Sequence, residues 1–206
     1  FWKNYPRDID LVRKPGKWGG IAYMARLYAL LPKLRGYDIV QLINPMFLEL
    51  KAERIAPIYK YLRKHNKKVF LGAFGMDYYW VHENITRMPL RYSDFNIGNR
   101  LRNDEPAMRE RRDWIGTAKE SLNKMIAEDC DGIIAGLYEY WACYGPLFPH
   151  KTTFTPCGYS SASAKGVRPT RVPTSCWKQP KPSRQNIPTW WNCVLPKAFL
   201  STNTPR

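Results

Sequence analysis

Apolar positions along the chain change their spacing several times, and each change predicts an element. Around Ile9, Leu11 and Val12 they alternate as in a short strand, ahead of a Lys-Pro-Gly turn. From Gly19 to Leu31, residues Ile21, Met24, Ala25, Tyr28 and Leu31 recur at helical spacing, and Pro32 closes the run. Tyr37 to Ile43, YDIVQLI, reads as a strand of β-branched and aliphatic residues. Asn44-Pro45 follows, with Asn suited to cap a helix and Pro to occupy its first position, so a helix is expected to start there. Its apolar stripe is Leu48, Ala52, Ile55, Tyr59 and Leu62, and Pro57 is expected to kink or interrupt it.

The stretch from Lys67 to Tyr79, KKVFLGAFGMDYY, carries an apolar run flanked by lysines and ended by glycines. That is the pattern of a parallel strand buried on both faces. Tyr37 to Phe74 therefore forms one strand-helix-strand unit, with parallel strands and a right-handed connection. From Tyr78 to Asp113 periodicity dissolves, which marks a functional or mobile segment. Ile115 to Glu128 reads as a helix with Ala118, Leu122, Met125 and Ile126 inward, then Ile133 to Leu137 as a strand. A helix at Tyr138 to Tyr144 and a strand at Thr152 to Thr155 complete the alternation. The expected fold class is α/β: a Rossmann-like parallel sheet with helices on both faces over residues 1–156, followed by an irregular tail at 157–206.

Composition separates body from tail. The 206 residues carry a formal charge of +16, and Gly158 to Arg206 contribute eight Lys or Arg with no Asp or Glu, half of that excess. The same segment has seven prolines and eleven Ser or Thr, the composition of a disordered basic tail. Its three tryptophans and two cysteines fit an out-of-frame read of a longer coding sequence instead. The chain opens on Phe in a stretch that reads as protein interior, so an earlier segment is expected.

A basic balance attracts nucleic acid, anionic lipid headgroups or phosphorylated substrates without distinguishing among them. Carboxylates interleaved with the body's cations argue against specific nucleic-acid binding and favour a solvated basic face; the rival function is a basic module that binds nucleic acid or an anionic membrane surface, with peripheral membrane contact the partner kept open. The five cysteines include no C-x-x-C pair, and reduced thiols in a cytoplasmic protein are expected. His65, His82 and His150 are far apart, so no metal site is expected. No apolar run reaches the roughly 18 residues of a membrane span.

Chemistry concentrates after the strand at Lys67. Gly72, Gly75 and Asp77 would set a carboxylate and backbone N–H groups at the strand's carboxyl end, near a sugar or phosphate; equally, Asp77 would cap the next segment. Asn44, ending the preceding strand, should lie on the same sheet edge. Tyr78, Tyr79, Trp80 and His82 offer a stacking platform or plain core, and His82 with Glu83 offers a base and its orienter. GAFGMD is not a dinucleotide fingerprint, and no phosphate-binding G-x-x-x-x-G-K-[ST] occurs. Glu120 and Glu128, a pair with the spacing of a nucleotide-sugar site, sit on an amphipathic helix and read as solvated carboxylates.

With YDIVQLINP, KKVFLGAFGMDYYW and AEDCDGIIAGLYEYW in place, residues 1–156 resemble the amino-terminal domain of GT-B fold glycosyltransferases of the family 4-like group. The resemblance implies hexosyl transfer from a nucleotide-sugar donor to a glycan, lipid or other acceptor, generally without a metal or cofactor. It implies that Asn44, Gly75, Tyr78 and Tyr79 hold acceptor, and that Asp77 and His82 serve catalysis. It also implies a missing donor domain and first strand, and hence a chain inactive alone, placed in the cytoplasm or against the inner membrane face.

Overall fold

The structure, a computed structural model, describes Ile9 and residues 11–155. Expectations for residues 157–206 fall outside the described residues. The elements are α1 (Lys17–Leu30) with a 3-10 turn at Leu31–Lys33, β1 (Ile39–Leu42), α2 (Ala52–His65), β2 (Lys68–Ala73) and α3 (Tyr78–Thr86). A hairpin of β3 (Asn96–Ile97) and β4 (Arg100–Leu101) follows, then α4 (Glu105–Trp114), α5 (Ala118–Asp129), β5 (Gly132–Ala135), α6 (Tyr138–Tyr144) and β6 (Thr152–Phe154).

Four strands pair in parallel in the order β1-β2-β5-β6, flanked by helices, which is the expected Rossmann-like α/β arrangement. Leu42 sits beside Leu71, and Leu71 beside Ile133. Because side chains alternate along a strand, this register lines up Val69, Leu71, Ala73, Ile133 and Ala135 on one face, all 0% exposed. They pack with Ile55, Tyr59 and Leu62 of α2 and Leu122 and Ile126 of α5. On the other face Ile39 and Gln41 are exposed and Phe70 and Ile134 are half-buried. There the Phe70 ring covers Gly132, where an added Cβ would come within 2.7 Å of it. A satellite core joins Tyr23, Leu27 and Leu31 to Ile58 on the outer side of α2.

Four sequence expectations are corrected. Leu11 and Val12 lie in irregular chain, not in a strand. The helix expected at Asn44-Pro45 begins instead at Ala52, capped by Lys51 without a side-chain bond. Met46, Phe47, Leu48 and Leu50 are loop anchors packed against the core, so Leu48 imitates a helical position it does not hold. The third concerns residues 78–113, which hold α3, the hairpin and α4. Here polar side chains do the organising: Asn96 donates to the carbonyls of Leu90 and Gly98, and Arg111 donates to those of Arg102 and Phe95, latching the hairpin to α4. Pro57 lies inside an unbroken α2, whose stripe of Ile55, Ile58, Tyr59 and Leu62 stays buried on both sides of it.

Candidate functional site at the carboxyl edge of the sheet

In an open α/β sheet, ligands bind beyond the carboxyl ends of the strands. Here that edge is built by the loop from Ile43 to Lys51 after β1, by Phe74 to Asp77 after β2, and by the amino-terminal turns of α3 and α5. Gly72 lets β2 reach it: a Cβ there would fall 2.7 Å from the Leu42 carbonyl and 2.6 Å from the Phe74 ring. Gly75 backs on open space, with nothing within 4 Å of an added Cβ. Asn44 is half-buried, and its Oδ1 is buried without a hydrogen-bond partner.

Asp77 is 0% exposed. It caps α3, its Oδ1 accepting from the Trp80 N–H at 2.8 Å. Its Oδ2 accepts from the Tyr144 hydroxyl at 2.9 Å. That hydroxyl accepts in turn from Asn123 Nδ2 at 3.2 Å, and Asn123 Oδ1 accepts from the Tyr78 N–H at 2.9 Å. The ring ties the end of β2 to α3, α5 and α6 and occupies two of α3's orphan amides. Burial pushes the Asp77 carboxyl up to about 6, against the pull of the Trp80 N–H, the Tyr144 hydroxyl and the Tyr79 N–H. The same burial pushes the Tyr144 hydroxyl far up, reinforced by the Asp77 charge. Of the two readings open for Asp77, the geometry displays the cap, with both oxygens turned inward.

Tyr78 and Tyr79 are 5% and 6% exposed. Tyr79 packs on Tyr144 and Phe148 at centroid distances of 4.8 and 5.4 Å, inside the core. Tyr78 stacks on His82 at 5.1 Å and carries Lys124 Nζ 4.8 Å from its ring centre. The His82–Glu83 pair is formed: Nδ1 lies 3.0 Å from Glu83 Oε1, and the other Glu83 oxygen accepts from Arg87 Nε at 2.7 Å. Arg87 Nη2 also donates to the Ala142 carbonyl at 2.6 Å, fixing α3 to α6. The His82 side chain is 38% exposed and that of Glu83 6%, so an anchored carboxylate orients a solvent-reachable imidazole. When Nδ1–H donates to Glu83, Nε2 is left as an acceptor, the state a base requires.

Asn123 and Tyr144 were missed by sequence reasoning, and Glu120 was singled out there but read as a solvated carboxylate. Asn123 and Tyr144 look like ordinary helix residues, and only the packing of α5 against α3 and α6 joins them to Asp77. Glu120 had a local signal, Thr-x-x-Glu, typical of a helix start. Thr117 caps α5 by accepting from the Lys119 N–H. Glu120 keeps contact with solvent, its side chain 20% exposed, while it accepts from the Gly116 N–H at 2.7 Å and pairs with Lys124 at 2.7 Å. These two donors hold its carboxyl below the usual range, with the Lys124 bond the larger cause.

A cleft opens between the β1–α2 loop and the start of α5, bordered by Met46, Leu48, Lys51, Thr117 and Lys119. Glu49, Glu53 and Asp113 share it, so its charge is mixed. Among the described residues, no three His, Cys, Asp or Glu side chains gather as a metal would need, and no helix is long and apolar enough to cross a membrane. Cys130 and Cys143 are buried thiols, with burial raising both. The fold and its edge define an α/β protein with a Rossmann-like parallel sheet. No family model matches the chain, and no curated protein or solved structure matches it either.

Proposed function

We propose that this chain supplies the acceptor side of a glycosyl-transfer site, in which a hexosyl group passes from a nucleotide sugar to a hydroxyl of a glycan or lipid acceptor. The observation carrying this reading is the pairing, on adjacent strand ends, of Asn44 and Gly75. One keeps a buried amide oxygen that lacks a donor, and the other leaves room beside its backbone. A sugar hydroxyl is a small donor that suits such an oxygen, whose isolation otherwise costs stability. His82, oriented by Glu83, is the group on this edge fitted to take the acceptor's proton. Asp77 contributes by holding the first turn of α3, and so His82, in place. In this reading the donor nucleotide is held outside the described residues.

The test is a titration of the isotope-labelled full chain with neutral mono- and oligosaccharides, followed by amide NMR shifts. Shifts concentrated at Asn44, Gly75 and Tyr78, and lost in Asn44→Ala, are expected. A saccharide panel that moves none of these amides, or moves them equally in Asn44→Ala, would sink the reading.

A further inference from the structure

Helix α1 has two apolar faces. Tyr23, Leu27 and Leu31 point into the satellite core against Ile58 of α2, at 3%, 2% and 7% exposure. On the opposite side, Trp18, Ile21, Ala25 and Tyr28 follow one another at spacings of three and four. Trp18, Ile21 and Tyr28 are 83%, 60% and 53% exposed, and Ala22, Ala25 and Ala29 are exposed beside them. At about 100° per residue, Lys17 falls on one border between the two faces and Arg26 on the other. A helix apolar on both sides belongs between two apolar media, and only one is supplied by the described residues.

Charge states which medium the outer face suits. Residues 11–36 hold Arg13, Lys14, Lys17, Arg26, Lys33 and Arg35 with no Asp or Glu, and all six cations are exposed. Beside the stripe, Arg13, Lys17 and Arg54 border Ile21, Met24 and Tyr28 in an open groove. Cations next to exposed Trp, Ile and Tyr are the composition of an interfacial helix, where rings and aliphatic chains enter the acyl boundary and ammonium and guanidinium groups meet lipid phosphates. A nucleic acid would take the cations and leave the aliphatic stripe wet. An uncharged apolar protein groove would cover the stripe and leave the cations on both borders and in the groove unpaired. We infer that the outer face of α1 is a docking surface for an anionic lipid bilayer, with the helix lying in the plane of the interface. Its roughly 21 Å length is enough for one-sided, reversible seating and too short to span. The inference stands apart from the glycosyl-transfer reading, because none of its residues lies on the sheet's carboxyl edge.

Sedimentation of the full chain with phosphatidylglycerol–phosphatidylcholine vesicles, against pure phosphatidylcholine vesicles, tests it. Binding to the anionic vesicles is expected, weakened at least about tenfold in the Trp18→Ser/Ile21→Ser/Tyr28→Ser variant with an unchanged thermal melt. Should that variant lose its cooperative melt, Ile21→Glu, one exposed position, carries the same expectation. The inference is overturned if the chain ignores anionic vesicles, or if the variants bind them like the parent, which would assign binding to the cations alone. It is equally overturned if a single-stranded RNA displaces the vesicles and binds the variants undiminished.

Discussion

Replacing Tyr144 by phenylalanine removes one oxygen and unties a ring. That hydroxyl donates to Asp77 Oδ2 at 2.9 Å and accepts from Asn123 Nδ2 at 3.2 Å, and all three side chains are 0% exposed. A hydrogen bond to a charged group contributes about 1.5–3 kcal/mol and a neutral one about 0.5–1.5, and both partners would remain buried without a replacement. Recovered desolvation of the hydroxyl offsets part of this, leaving an expected loss of about 2–4 kcal/mol where Asp77 is ionised. Asp77's folded value, about 6, lies above its ordinary 3.8, so protonation favours the folded state. That contribution is fully present below the ordinary value and is lost as pH rises through the folded one. The Tyr144→Phe change takes away a donor that favours the carboxylate, raising the folded value further, so the penalty must grow as pH rises. Urea denaturation followed by far-UV circular dichroism should give the full loss at about pH 8 and roughly half of it at about pH 5. An equal penalty at both values, or a penalty below about 0.5 kcal/mol at about pH 8, would refute the network as drawn.

Two further outcomes follow from the same geometry. Asp77→Asn keeps a cap acceptor for the Trp80 N–H while abolishing the titration. The parent's stability should therefore fall by up to about 3 kcal/mol relative to the variant between about pH 4 and pH 7, measured by parallel denaturation curves. Parallel pH profiles would show that Asp77 titrates normally. Gly72→Ala drives a methyl against the Leu42 carbonyl and the Phe74 ring and should cost about 1–3 kcal/mol, whereas Gly75→Ala meets open space and should stay within about 0.5 kcal/mol. Comparable shifts in melting temperature for the two would contradict the close approach of β1 and β2.

The pattern of apolar spacing located α2, β2, α5 and β5 because each buries a run or stripe whose period survives in the sequence; β1, α6 and β6 were found as well, although β1 and β6 stay largely open to solvent. It failed where burial has no period. Leu48 and Leu50 anchor a loop, and Asn96 and Arg111 fold the residue 78–113 segment through bonds to carbonyls that no spacing announces. Glu120 shows a middle case: its Thr-x-x-Glu signal was present, and its place beside Gly116 and Lys124 makes it a strut.

For the candidate site, the division is sharper. The order of residues by itself determined that Asn44, Gly75, Asp77, Tyr78 and His82 follow strand ends, since a strand's carboxyl end is a local property. Pairing of His82 with Glu83 was likewise within local reach. Only the tertiary structure decided that Asp77 turns inward, that Tyr79 packs within the core, and that Asn44 keeps an unpartnered oxygen. The physical reason is that the direction of a buried carboxylate depends on the nearest donors. The Tyr144 hydroxyl that turns Asp77 inward comes from α6, 67 residues away along the chain, and the Asn123 amide that steadies it comes from α5, so no local pattern could announce either.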